Sequence, residues 1–115
     1  MSEEFNLDFS ETPTWLVVHY EGNLNLLVKE EFCQRVIEEL EKRPDHNLAL
    51  DLSAVELIDS SGLGAIFSLY KFLTARRSNL VLVEPNQTVS ELLKLTHLDQ
   101  VIQVEASLAT VTGAA

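Results

Sequence analysis

The sequence predicts an α/β domain built on a mixed, mostly parallel sheet of about five strands with helices packed against it. Three observations carry that prediction. The short runs Leu48-Ala49-Leu50-Asp51-Leu52 and Leu80-Val81-Leu82-Val83 hardly alternate between apolar and polar residues, as strands covered on both faces should not. Stripes of apolar residues at helical spacing flank them. Strand and helix patterns then alternate with short connections, which implies right-handed crossovers and parallel pairing.

The elements follow in order. Phe5, Leu7 and Phe9 alternate with polar residues, and Trp15-Leu16-Val17-Val18-His19-Tyr20 is β-branched and aromatic. They read as a hairpin, with Pro13 before the second strand and Glu21-Gly22-Asn23 turning the chain out of it. Val28, Phe32, Cys33, Val36, Ile37 and Leu40 form a helical stripe opposite a polar face, stopped by Pro44-Asp45. The Leu48–Leu52 strand comes next. A second helix is expected from about Ser60 to Arg77, with Leu63, Ile66, Phe67, Tyr70 and Leu73 inward. Arg76 and Arg77 would suit the negative end of its dipole. After the Leu80–Val83 strand, a third helix spans roughly Gln87 to Leu95, with Val89, Leu92 and Leu93 inward. Val101–Val104 is the expected last strand, and Ser107–Thr112 a short final helix.

At 115 residues the chain suffices for one core, since a domain this size hides roughly two-thirds of its unfolded surface. A single domain over 1–115 is expected, with an ordered core of about 5–112. The 8 basic and 18 acidic side chains leave a net charge of −10. Such a chain repels phosphate backbones and anionic headgroups, which argues against nucleic acid and membrane surfaces as partners. Residues 1–58 hold 4 basic and 13 acidic groups, residues 59–115 hold 4 and 5. That acidic half suits a basic partner and is equally ordinary for a cytosolic protein. Cys33, the single cysteine, permits no internal disulfide and reads as a small buried hydrophobe. The start lacks a charged-then-apolar leader, and no apolar run is long enough to span a bilayer. A cytoplasmic location is expected.

Catalytic constellations are missing. His19, His46 and His97 have no partner at metal-ligand spacing, and neither common Gly-rich phosphate loop occurs. No catalytic residue, metal or cofactor is expected, and the chain does not read as an enzyme. One segment stands apart: Asp59-Ser60-Ser61-Gly62-Leu63-Gly64, where a buried strand delivers the chain into the start of a helix. Its bland reading is a helix cap followed by small residues that let the helix pack closely on the sheet. Yet capping needs one side-chain acceptor, and three stand in a row. The segment also follows the carboxyl end of a strand, where open α/β sheets present functional loops.

Asp51-Leu-Ser-Ala-Val-Glu-Leu-Ile-Asp-Ser-Ser-Gly-Leu-Gly64 resembles the signature of STAS domains, specifically the anti-sigma factor antagonist family. Glu21-Gly22-Asn23-Leu24, Leu80–Val83 and Val89–Leu98 extend the likeness over nearly the whole chain, with Asn25 standing where many relatives have aspartate. The resemblance implies that Ser61 is the phosphorylated residue, with Ser60 the alternative assignment. Asp59 would cap and orient a partner-binding loop of Asp59, Ser60, Ser61, Gly62, Leu63 and Gly64. It further implies an anti-sigma factor partner that is a serine kinase with a histidine-kinase-like ATPase fold, and a metal-dependent serine phosphatase that resets the switch. A monomer or weak dimer is expected. No Lys or Arg lies between Arg43 and Lys71, so a phosphate at Ser61 would lack a cation nearby in the chain. Two other roles fit a STAS domain: accessory subunit of another signalling or lipid-transport complex, and nucleotide contact, which the missing phosphate loop disfavours.

Overall fold

The computed structural model describes residues 4–113; Met1–Glu3 and Ala114–Ala115, at the ends of the expected domain, lie outside the described residues. Strands β1 (Asn6–Glu11) and β2 (Trp15–Leu24) form the expected antiparallel hairpin, with Leu7 opposite Tyr20 and Phe9 opposite Val18. Strands β3 (Asn47–Ile58), β4 (Leu80–Val83) and β5 (Gln103–Glu105) then add in parallel, and the sheet order is β1-β2-β3-β4-β5. Three helices make the crossovers: α1 (Lys29–Glu41), α2 (Ser60–Ala75) and α3 (Gln87–Leu95).

Because the sheet grows one strand at a time in one direction, right-handed crossovers put all three helices on the same face. The burial pattern agrees. Leu16, Val18, Leu48, Leu50 and Leu82 pack with Phe32, Ile66 and Val89 in the main core. Val17, Ala49, Val81 and Val83 face the opposite way, where a short helix α4 (Leu108–Thr112) lays Leu108 and Val111 over them. Both faces of the central strands are thus covered, which is why their sequences scarcely alternate.

Several boundaries differ from the sequence reading. β2 does not end at Tyr20 with Glu21-Gly22-Asn23 as a turn: it runs on to Leu24, because Gly22 takes a φ of +123° and lets the strand continue through a register shift. β3 likewise passes Leu52 and extends to Ile58, pairing with the β2 extension at Glu21–Ala54, Gly22–Val55 and Leu24–Ile58. The last strand is Gln103–Glu105 and not Val101–Val104. A 3₁₀ turn at Leu98–Gln100, entered through His97 at φ 60°, takes up the preceding residues and leaves Val101 exposed. Phe67 does not face the core. It is 38% exposed, stacked on Tyr70 with the Lys71 ammonium over its ring. Cys33 is half-buried, and burial pushes its thiol up.

Arg76 and Arg77 do not sit in the last turn of α2, which stops at Ala75. Arg76 donates instead to the carbonyls of Leu40 (2.8 Å), Arg43 (3.1 Å) and His46 (2.5 Å). It therefore adds a side-chain donor to carbonyls at the end of α1 and in the loop into β3, tying two helices together at the edge away from Ser61.

Among the described residues the one buried charged side chain is Asp51. The pairing sets Asp8, His19 and Asp51 in one row across β1, β2 and β3. His19 Nδ1 lies 2.7 Å from Asp51 Oδ2 and donates to it, since an ionised carboxylate can only accept. Asp51 Oδ1 accepts from the Ser53 amide at 2.9 Å. Burial pushes the Asp51 carboxyl up, but the hydrogen bonds from Ser53 and His19 outweigh it and hold the group below its usual range. A depressed folded-state value stabilises the fold above the unfolded value, near 4, and that stabilisation is lost as pH falls through the folded value. Asp51→Asn is therefore expected to cost about 1 kcal/mol at pH 7. In urea titrations the gap between wild type and variant should close as the pH is lowered towards 3.

Candidate functional site

The site is assembled at the carboxyl edge of the sheet from the ends of three neighbouring parallel strands. β2 ends in Leu24 and the loop Asn25–Val28, β3 in Asp59, and β4 in a loop that reaches Asn86. Asp59 is the N-cap of α2, as its sequence position suggests. Its backbone is extended (φ −109°, ψ −175°), and Oδ1 accepts from the Gly62 amide at 2.8 Å. The Asp59 amide donates to the Leu24 carbonyl at 3.2 Å, and Oδ2 lies 3.4 Å from the Leu26 amide. One residue thus ties the helix start to the end of β2 and the loop beyond it.

Gly62 explains why the motif needs a glycine there. A Cβ at this position would lie 2.2 Å from the Leu24 carbonyl oxygen and 2.7 Å from Ile58 Cγ1. The neighbouring atom is backbone, and no rotamer change can move it aside. Gly64 differs: a Cβ there would meet only Lys29 Nζ, at 3.2 Å.

Of the six expected loop residues, Asp59 and Ser60 are exposed, and Ser61 and Gly64 partly so. Among the described residues neither serine hydroxyl has a hydrogen-bond partner. Gly62 and Leu63 are buried, Leu63 in the main core. These two seat the loop and do not present it. Five contributing residues escape the sequence reading. Asn86 caps α3 through the Val89 amide (2.8 Å) and donates to the carbonyls of Val55 (2.9 Å) and Glu56 (3.2 Å). It serves the side of the β3 extension that β4, ending at Val83, cannot reach. An Asn-Gln-Thr-Val start reads locally as a helix cap, and only its second use is invisible in the sequence. Leu26 and Leu27, 68% and 66% exposed, follow Asn25, whose Oδ1 accepts from the Leu27 amide and whose carbonyl accepts from Val28 and Lys29. Leu57, just before Asp59, is 58% exposed. Lys29 is the last of them: remote in sequence, its ammonium lies beside Gly64 of α2.

An open groove of about 370 Å³ runs between α1 and α2 beside this loop, lined by Leu26, Lys29, Glu30, Cys33 and Ser68. No group of three or more His, Cys, Asp or Glu among the described residues could hold a metal ion, and no described helix is long and apolar enough to cross a membrane. The arrangement is a hydroxyl-bearing helix start flanked by exposed leucines, suited to protein contact.

Gly62→Ala is expected to destabilise the fold by about 2–3 kcal/mol, the cost of forcing atoms into a filled space. Gly64→Ala should be neutral or stabilising, because alanine favours a helix interior by about 1 kcal/mol and the lysine tip can move. Chemical denaturation of the two variants side by side tests the contrast.

Comparison with known proteins bears directly on this geometry. The family model described as STAS domain matches residues 6–111. A Thermotoga maritima protein named as a candidate anti-sigma factor antagonist is 33% identical over 81 residues, covering 70% of this chain and 72% of the relative. A crystal structure under that name from the same organism superposes with a TM-score of 0.87 at 27% identity, covering 93% of this chain and 92% of that one. The anti-sigma F factor antagonist of Paenibacillus polymyxa is 25% identical over 89 residues, covering 77% of this chain and 76% of the relative. SpoIIAA, an anti-sigma factor antagonist solved in its unphosphorylated form, shares the fold with a TM-score of 0.78 at 19% identity, covering 97% and 99% of the two chains. The Bacillus SpoIIAA structure in the phosphorylated form gives 0.71 at 18%, covering 96% and 97%. With the STAS model spanning nearly all of the described residues and a relative named as an anti-sigma factor antagonist 33% identical over 72% of its length, the chain belongs to the STAS domain family, among the anti-sigma factor antagonists.

Proposed function

We propose that this protein binds an anti-sigma factor that is also a serine kinase with a histidine-kinase-like ATPase fold. Phosphorylation of Ser61 ends the binding, and a serine phosphatase restores it. Transcription is then controlled indirectly, by exchange of partners and without catalysis by this chain. The observation that carries the reading is the Ser61 hydroxyl: partly exposed, without a hydrogen-bond partner among the described residues, on the first turn of a helix locked in place by Asp59 and Gly62. Exposed Leu26, Leu27 and Leu57 lie on the two segments that meet at Asp59, giving a partner apolar area to cover. The existence of SpoIIAA in phosphorylated and unphosphorylated forms supports the same reading.

The physics of the position suits a switch. A phosphoserine brings about −1.5 to −2 charges. The unpaired amides and dipole at the start of α2 tolerate an anion, so the fold persists. A partner packed on the loop must instead accommodate a dianion beside the Asp59 carboxylate. A hundredfold loss of affinity requires about 2.7 kcal/mol, well within the cost of one misplaced charge at an interface.

Incubation with native-cell lysate, Mg²⁺ and ATP should add one phosphate to the wild-type chain and none to Ser61→Ala, read by intact mass. Phosphate on Ser61→Ala but not on Ser60→Ala would reassign the site to Ser60. Ser61→Asp should bind the captured kinase at least tenfold more weakly with little change in Tm; undiminished binding would sink the switch. No phosphate, from a lysate with active kinases, would favour a constitutive accessory subunit.

A further inference from the structure

We infer that Lys29 is the cation that receives the Ser61 phosphate, so that the modified serine is held against the domain's own surface by an ion pair between α1 and α2. The inference rests on Ser61 being the modified residue. Within the chain no Lys or Arg lies between Arg43 and Lys71, and from sequence neighbours alone the anion would have only helix amides to meet it. The fold changes that. Lys29 opens α1, and its Nζ reaches to 3.2 Å from the place a Gly64 Cβ would occupy. The space exists because residue 64 has no side chain.

Ser61 and Gly64 are three residues apart on α2 and therefore neighbours on its surface, with Cβ positions about 5–6 Å apart. The Lys29 ammonium consequently lies no more than about 9 Å from the Ser61 Cβ. A phosphate projecting from the serine and a small swing of the flexible lysine stem close that gap. Among the described residues Lys29 makes no ion pair or hydrogen bond that such a swing would break. Other cations on α1 and α2 or just past their ends are engaged elsewhere. Arg35 faces Glu31 and Phe5, Lys42 and Arg43 pair with Glu39, and Lys71 sits on Phe67. Arg76 is turned onto the far end of α1.

The consequence reaches the groove between the helices, which Lys29 lines with Leu26, Cys33 and Ser68. Phosphorylation would add a dianion to the loop and also draw the ammonium away from the groove. A partner reading both features loses two contacts through one modification.

The test places phosphoserine at position 61 by encoded incorporation, so that no kinase is needed, and follows its second ionisation by ³¹P NMR. That ionisation lies ordinarily near pH 6. In the otherwise wild-type chain it should fall lower than in Lys29→Gln by about 0.5 unit or more. The difference should shrink in high salt. Lys94→Gln, on α3, should titrate like wild type. Identical titration in Lys29→Gln and wild type would overturn the inference, as would a Lys29 effect seen only with phosphoserine at position 60. Failure of the kinase reading appears separately, as absence of phosphate in the lysate experiment while the NMR difference stands.

Discussion

The carbonyl of Leu24 and the first turn of α2 approach so closely that no side chain fits between them. Most of the functional end of the molecule depends on that contact. It requires glycine at position 62, and it requires β2 and β3 to run in step past the rest of the sheet so that Leu24 arrives opposite Ile58. With these met, Asp59 can donate its amide to Leu24 while its carboxylate accepts from Gly62. The two serines between them have no freedom left except that of their own side chains. A modification site on a mobile loop would report through order and disorder; the proposed one, built like this, would report through charge on a fixed surface.

The rest of the fold braces this edge. A sheet extended strand by strand, with every crossover right-handed, collects its three long helices on one face and lines up the carboxyl ends of β2, β3 and β4. Asn86 satisfies the carbonyls that the β3 extension leaves bare beyond β4. At the opposite edge Arg76 spends its guanidinium on three carbonyls from α1 and the following loop. Arg76 thus ties the end of α2 to the end of α1, and the Gly62 contact ties the start of α2 to β2. The groove between the helices, with Lys29 at its mouth, keeps its shape between two fixed points.

This organisation fits the family to which the chain belongs. On the proposed switch, a partner needs a surface that is complementary before modification and unsuited after it. The solved anti-sigma factor antagonists superpose on this chain over more than nine-tenths of its length at modest identity, 93% at 27% and 97% at 19%.

The succession of strands and helices, the mostly parallel sheet, most helix phases and the Asp59 cap were legible in the residues, since each follows from local spacing or a local hydrogen bond; the order of strands within the sheet came only with the structure. The motif Asp59–Gly64 stood out too, and its likeness to STAS domains is what points to Ser61 in the proposed function. Positions that depend on distant partners were not. Gly22 reads as a turn until β3 is seen to continue beside it, and Arg76 reads as a helix-end charge until the carbonyls of Leu40, Arg43 and His46 come within reach. Phe67 keeps the helical phase of an inward residue, yet its side chain lies on Tyr70 at the surface. Lys29 is the plainest case. It is over thirty residues from Ser61 in the chain, and only the crossover through β3 carries it to the start of α2. Local chemistry is written in consecutive residues, whereas the electrostatic surroundings of a site are set by whichever segments the topology brings alongside it.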